Sequence, residues 1–405
     1  MKSKILMIDA FSTLHVGNGA LIDNTYKLCK QYLGEDVAIS TIDPIPNVDR
    51  FPKIYEDIFS SYGGSSFKKL MFSVCLFAFF CVEFINIKVF GDKLPLPWKG
   101  KYRDFLDAID ECDVCVSLSG ETINDYYYPH MYLRLLTYYL AILKHKEMIL
   151  FPQSIGPVFK PLSKYLLRKV FGKAKVIVAR DELSLKVAKE LWANCKAKVV
   201  FSPDVAVTQE SEVLPLDGFK VSKKVIGLTV SDIPKAEMGI SNEYLDTLID
   251  KVLKVFPSSD YSILLMPSNY KYGDLSGDYV YCLKAKEMLE AKKYTVDILK
   301  NEVIHPDVYQ GYQKSLFAFI STRMHVGILA SSAGIPTVMI NTQHKIKAYM
   351  DIMHMGDYVV EVRDLESNLE KTLESLKLQN DNLRIELVKN NKMLRNSVHT
   401  CLSQL

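Results

Sequence analysis

No apolar run in this 405-residue chain reaches the about 20 residues that cross a bilayer. The longest, Leu70–Val82, stops at 13 residues before Glu83. That excludes a polytopic membrane protein. The opening stretch has only four apolar residues in a row, Ile5–Ile8. A secretory signal needs about 7–15, so none is expected and the chain reads as cytoplasmic. Cys112 and Cys115 form a C-x-x-C, but a second C-x-x-C or a Cys/His pair at ligand spacing is missing. The eight cysteines are therefore expected as buried, reduced thiols. No His, Asp or Glu spacing resembles a metal site, so neither metal nor cofactor is expected. Gly17-Asn18-Gly19 lacks the third glycine of the dinucleotide fingerprint, and no acidic residue follows on a second strand at the expected spacing. Neither sign of charge dominates: Lys+Arg number 50 and Asp+Glu 47, a net +3, which is no nucleic-acid signature. Internal repeats and low-complexity segments are also missing.

What is present is ordinary for a soluble globular protein: 48% hydrophobic and 24% charged residues. The length suggests two domains, each large enough for its own core. Short apolar strands alternate with helix-length segments, the pattern of α/β layers around a mostly parallel sheet. Strands are predicted at Ile5–Ile8, Val37–Ile42, Val114–Leu118, Glu147–Phe151, Val176–Ala179 and Val199–Phe201. A loop at Gly17-Asn18-Gly19 leads into a helix over Ala20–Leu33, and further helices cover Tyr132–Leu143 and Glu182–Leu191. The polar stretch Leu214–Lys224 reads as a linker. A second run follows, with strands at Val225–Val230, Tyr261–Met266, Phe317–Ser321 and Thr337–Ile340. Its helices cover Tyr244–Val255 and Tyr281–Lys292, and another opens at Met324. Leu365, Leu369, Leu373 and Leu376, then Leu387, Leu394, Val398 and Leu402, recur at helical spacing. They predict a closing helix that packs back on the body, with coiled-coil dimerisation as the alternative. The expected organisation is a Rossmann-like domain over 1–213, a linker over 214–224, a second Rossmann-like domain over 225–364, and a helical segment over 365–405. Two such domains place a cleft between them, with ligands at the carboxyl ends of the strands.

Several clusters sit at those strand ends. Ser321-Thr322-Arg323-Met324-His325 follows an apolar strand and opens an apolar helix. Ser321 and Thr322 can cap that helix. Arg323 and His325 would then stand near its positive end, a natural anion site. Arginine offers two parallel donors to a carboxylate or phosphate, and histidine moves a proton near neutral pH. The bland alternative is a capped helix with a solvated arginine. Arg180-Asp181-Glu182 ends another strand: either Arg180 faces the cleft, or it pairs with a helix-capping Asp181 or Glu182 as structure. Gln153-Ser154-Ile155-Gly156-Pro157 and Ser117-Leu118-Ser119-Gly120-Glu121 are strand-end turns that present backbone N–H groups or merely turn. His130 follows Tyr126-Tyr127-Tyr128-Pro129 and either lines the cleft or packs as a structural histidine. Asp204, in Pro203-Asp204-Val205-Ala206, orients a neighbour or caps a turn. His15, Lys345 and Lys347 are further candidates.

In this order the clusters resemble the polysaccharide pyruvyl transferase family. The resemblance rests on Gly17-Asn18-Gly19, Ser119-Gly120, Gln153–Pro157, Ala179–Ser184, Pro203–Ala206, Ser321–His325, Gly334-Ile335-Pro336 and Lys345. It implies a two-domain fold like that of the B-type glycosyltransferases, with the acceptor on the N-terminal and the donor on the C-terminal domain. It further implies transfer of a pyruvyl group from phosphoenolpyruvate onto two sugar hydroxyls, giving a cyclic ketal. Arg323 and His325 match the family's arginine–histidine motif for donor binding and proton transfer, and Arg180 its second basic position. Ser321, Thr322 and Lys345 fall with the donor residues. Asn18, Gly19, Gly120, Glu121, His130, Ser154, Gly156 and Asp204 fall with the acceptor or cleft lining. Two departures stand out: Gly19-Ala20-Leu21-Ile22 replaces a second glycine pair with its acidic residue, and Ser119-Gly120-Glu121 replaces a more glycine-rich turn.

Competing readings are a sugar-nucleotide glycosyltransferase holding ribose with Glu302 or Asp307, a non-catalytic scaffold of a polysaccharide assembly complex, and a redox protein using Cys112 and Cys115. The oligomeric state is open, with a homo-oligomer among the outcomes. Leu70–Val82 has Lys68 and Lys69 before it and Lys88 after it. It is expected as a buried helix, or as a peripheral contact with the inner face of the membrane over 70–88 that would bring the site to a lipid-linked acceptor.

Overall fold

Strands that are apolar on both faces belong inside a parallel sheet covered by helices on each side. That is how these runs fold. The computed structural model describes residues 3–47, 49–118, 120–219, 223–231, 243–271, 277–341 and 344–405. They form two units, each built on its own sheet. In the first, β1 (Lys4–Ala10), β2 (Asp36–Thr41), β3 (Ile54–Glu56), β4 (Val114–Ser117), β5 (Glu147–Gln153), β6 (Val176–Ala179) and β7 (Lys198–Phe201) line up in the order β3-β2-β1-β4-β5-β6-β7. In the second, β8 (Lys224–Thr229), β9 (Tyr261–Leu265), β10 (Val296–Ile298), β11 (Ala318–Ser321), β12 (Thr337–Asn341) and β13 (Val359–Glu361) follow the order β10-β9-β8-β11-β12-β13. Every pairing within these sheets is parallel. Both orders are doubly wound, so each sheet has one switch point: between β1 and β4, and between β8 and β11.

The sequence did not announce β3, β10 and β13. Each is a three-residue edge strand with partly exposed side chains, so no apolar run marks it. The units are not contiguous in sequence. Thr13–Ala20 belongs with the second and Ser397–Leu405 with the first. The expected glycine loop is also not a loop, because Gly17-Asn18-Gly19 forms the first turn of a helix over Val16–Tyr32. The preceding residues clip this turn to the second unit: Val16 N–H donates to the Ser268 carbonyl and Tyr270 N–H to that of Leu14, both at 2.9 Å. In the expected linker, Leu214 N–H bonds the Gly311 carbonyl at 3.1 Å, and residues 220–222 lie outside the described residues.

Two helices, Leu365–Leu378 and Asn380–Leu402, replace the single closing helix. Their periodic residues, Leu365 to Leu376 and Leu387 to Leu402, are buried. The first packs on the helix Glu243–Val255, where Lys251 pairs with Glu366. Cys112 and Cys115 are buried free thiols with Sγ atoms 3.5 Å apart, whereas Cys75 is exposed.

Candidate active site

The carboxyl edge of β8 and β11 is the switch point of the second sheet, and the Ser321–His325 segment leaves it. Ser321 ends β11 in register with Thr229 at the end of β8. Thr322 Oγ1 donates to the Thr229 carbonyl at 3.1 Å and lies 3.0 Å from Ser231 Oγ. Ser321 Oγ accepts from Arg323 N–H at 3.1 Å and donates to its carbonyl at 2.7 Å. The expected capping by Ser321 or Thr322 is therefore replaced by a tight local turn. Arg323 itself is the N-cap of the helix Met324–Ser332, with no side-chain cap bond. The first backbone donors of that helix, and the positive end of its dipole, open at the strand ends.

Arg323 is held from two sides. Its Nε and Nη2 donate to the two oxygens of Asp278, with Nε 2.9 Å from Oδ2. Asp278 stands in the first turn of the helix Gly277–Ala291, is fully buried, and also accepts from the N–H and hydroxyl of Ser268 at 3.2 Å. The third guanidinium nitrogen, Nη1, lies 3.2 Å from His15 Nε2. The sequence motif leads one to expect the two-pronged edge of Arg323 to face a ligand. In the structure Asp278 takes that edge, and nothing in the spacing of residues 45 apart signals it.

Burial first, then the charges of Arg323, His325 and Lys345, hold His15 well below the usual histidine pKa. The ring is neutral at physiological pH and accepts at one nitrogen only. Arg323 Nη1 faces Nε2 and Gly17 N–H faces Nδ1 at 3.2 Å, so the two contacts compete. Both partners are donors only, so the neutral ring accepts from one of them at a time. His325 stands one residue inside the helix, half-buried. A Cβ on Gly17 would lie 2.6 Å from His325 Cβ and 3.2 Å from His15 Nδ1. That close approach is what the first glycine of the motif provides. Gly17→Ala is expected to push His325 out of place and lower turnover about 100-fold, the usual effect of a misplacement near 1 Å. Unfolding midpoints should shift little by comparison. Unchanged turnover would show that the contact is not needed.

The first unit gathers other candidates. Arg180 Nη1 donates to Asp204 at 2.7 Å and Nε to Ser154 Oγ at 2.8 Å, with Arg180 only 4% exposed. Asp181 caps the helix Glu182–Trp192 by accepting from Ser184 N–H at 2.7 Å. Arg180 thus pairs with Asp204, not with either of the acids expected from sequence. Gly156, at φ +100°, needs the freedom of glycine. The Gly120 carbonyl accepts from Ser154 N–H at 3.0 Å, and the Glu121 carbonyl from Asn124. Ser119 lies outside the described residues. His130 packs edge-on against Phe59, and burial with help from Arg134 pushes its pKa down to about 4.

At the switch point of the first sheet the structure shows a cluster that the sequence did not flag. Asp9, the penultimate residue of β1, has φ +66° and accepts from Arg134 Nη1 at 2.6 Å, from Ser117 at 3.1 Å and from Tyr138. Arg134 also reaches Asp57 at 3.2 Å. Burial raises the Asp9 carboxyl pKa despite Arg134. The only trace in the sequence is an aspartate ending an apolar strand. Among the described residues no group of three His, Cys, Asp or Glu is placed to hold a metal ion.

Residues 15–344 match the polysaccharide pyruvyl transferase family, a span that includes the helix turn at Gly17, the switch point of the second sheet and the Arg323–His325 segment. The chain belongs to this family. A relative, the amylovoran biosynthesis protein AmsJ of Erwinia amylovora, is 22% identical over 284 residues. The match covers 65% of each chain, just under two thirds of that relative's length. A glycosyltransferase from Rickettsia africae superposes with a TM-score of 0.56 at 13% identity, over 99% of this chain and 98% of the other. HepE from Anabaena, solved with UDP and glucose, gives 0.54 at 11% identity, over 99% and 97%. At such identities these likenesses concern the fold: this pyruvyl transferase family member has the two parallel-sheet units of B-type glycosyltransferases.

Proposed function

We propose that the protein transfers the pyruvyl group of phosphoenolpyruvate to two hydroxyls of a sugar in a polysaccharide or its precursor, giving a cyclic ketal and inorganic phosphate. The observation that carries this reading is the second switch point. There an oriented guanidinium, two histidines and an uncapped helix N-terminus meet in a family member. A phosphate and a carboxylate need cations and backbone donors, which Arg323, Lys345 and the first turn after Arg323 supply. Arg180 is the further cation the family pattern gives to the donor, although in the first unit its donors already hold Asp204 and Ser154.

In the first step a sugar hydroxyl adds to C2 of the enol, its proton leaves, and a proton reaches the C3 methylene, which becomes the methyl group. His325 is the acid. In the second step phosphate leaves C2 and the second hydroxyl attacks, losing its proton, to close the ketal. Positioning and charge stabilisation supply most of the rate. His15 is a positioning residue. Its neutral ring steadies Arg323 Nη1 while Asp278 holds the other edge.

Incubation with labelled phosphoenolpyruvate and a panel of free and lipid-linked glycans, read by mass, should show one ketal per phosphate released. Transfer from nucleotide sugars instead would overturn the reading. The structure gives that rival little support. Glu302 lines a cavity of about 300 Å³, and among the described residues lining it Asp217 and Asp297 stand with it against the cation Lys300, a repulsive setting for a diphosphate.

A further inference from the structure

The helix Ser66–Phe90 is inside out. It has 25 residues, about 37 Å, and its most apolar 18-residue window has a mean hydropathy of 2.2. It continues well past the 13 apolar residues seen in the sequence and is long and apolar enough to cross a bilayer. Yet Phe72, Leu76, Phe79, Glu83 and Asn86, one stripe at intervals of four and three, are buried against the first unit. Glu83 and Asn86, polar residues of the helix's second half, face inward. Glu83 accepts from Trp98 Nε1–H, and Asn86 exchanges hydrogen bonds with the backbone of Leu94 at 3.1 and 3.4 Å. Apolar residues face outward: Phe67 is 70% exposed, Leu70 60%, Val74 55%, Phe77 57%, Ile85 49% and Val89 70%. The expected buried core helix is therefore buried along one stripe only. A spanning helix would have to leave that stripe and carry Glu83 into hydrocarbon, so its docked position fits lying in the plane of a surface.

The surroundings suit a lipid headgroup layer. Residues 61–101 hold six lysines against two acids, and both acids are bonded, Glu83 to Trp98 and Asp92 to Lys144. Lys68 and Lys69 are exposed at one end of the helix, Lys88 and Lys93 at the other. The helix packs beside Tyr128–Leu143, which packs in turn beside Pro161–Phe171. These neighbouring helices add exposed tyrosines, Tyr128 at 42% and Tyr165 at 58%. Lys160 lies over the Tyr128 ring and Lys169 over that of Tyr165, and tyrosine with lysine is the composition of a membrane–water interface. We infer that the outer face of Ser66–Phe90 docks in-plane on an anionic phospholipid leaflet, with Phe67 to Val89 among the acyl chains and the flanking lysines on headgroups. This goes beyond the transfer chemistry and stands whether or not the donor is phosphoenolpyruvate.

The test is co-sedimentation of the full-length protein with phosphatidylglycerol-containing vesicles and with phosphatidylcholine vesicles. Binding should favour the anionic vesicles and fall at high salt. Val74→Gln with Phe77→Gln leaves the buried stripe intact and should lower binding more than tenfold. Lys68→Glu with Lys69→Glu should lower it about tenfold on anionic vesicles alone. Cys75, on the same outer face, should become protected from a water-soluble maleimide when vesicles are added. Wild-type protein that stays in the supernatant, or an unprotected Cys75, overturns the proposal. So does a dimer that the Val74/Phe77 variant dissociates in the absence of vesicle binding, since the face would then join two copies of the chain.

Discussion

His325→Ala is expected to remove ketal formation, with turnover down by about 10²–10⁴, the usual contribution of a positioned general acid. The helix should survive. Alanine is the better helix former, the Cβ that meets Gly17 is kept, and the buried face of Met324–Ser332 is untouched. Binding of phosphoenolpyruvate should persist, because the cations and helix donors assigned to it lie elsewhere. Phosphate release and the mass of the glycan product report the chemistry, and a fluorescence or calorimetric titration reports the binding. Near wild-type turnover with the true acceptor would sink the role of His325. Loss of binding together with turnover would move it from acid to anchor.

Arg323→Met is expected to damage both stability and activity. It leaves Asp278, fully buried, with its main cationic partner gone, and breaking a buried pair costs about 3–5 kcal/mol. Arg323→Lys keeps the charge but replaces the fork with a point charge, so it should destabilise less and still fail in turnover. The double change Arg323→Met with Asp278→Leu removes both charges and should recover most of the unfolding midpoint. Its turnover should stay at the level of Arg323→Met. Recovery of activity in the double variant would mean that Arg323 serves only to neutralise Asp278. With two units, unfolding should be followed as separate transitions, each with its own midpoint.

The two Rossmann-like sheets were legible because their central strands read as short apolar runs at regular spacing. The edge strands Ile54–Glu56, Val296–Ile298 and Val359–Glu361 were not, since three residues with at most one of them buried carry no pattern. The Arg323–His325 segment was legible as a strand-to-helix junction, the place where a doubly wound sheet binds ligands. Gly17 was visible as a motif but misread as a loop. Its purpose, room for His325, depends on a contact 308 residues away. Leu70–Val82 was visible as an apolar run, but composition has no direction. Only the packed stripe shows that Glu83 and Asn86 face inward with Phe72 and Phe79, and that Phe67 and Phe77 face outward.

The sequence by itself determined the fold class, the family and the junction that carries Arg323 and His325. Each depends on residues close together in the chain: an apolar run, a turn, a short ordered motif. The tertiary structure alone decided what holds those groups. It placed Asp278 under Arg323 and His15 against Nη1, gave Arg180 to Asp204, and gathered Asp9, Asp57, Arg134 and Tyr138 at the other switch point. Partners so far apart in sequence leave no periodicity to read, and the burial that makes such polar contacts strong exists only once the sheets have assembled.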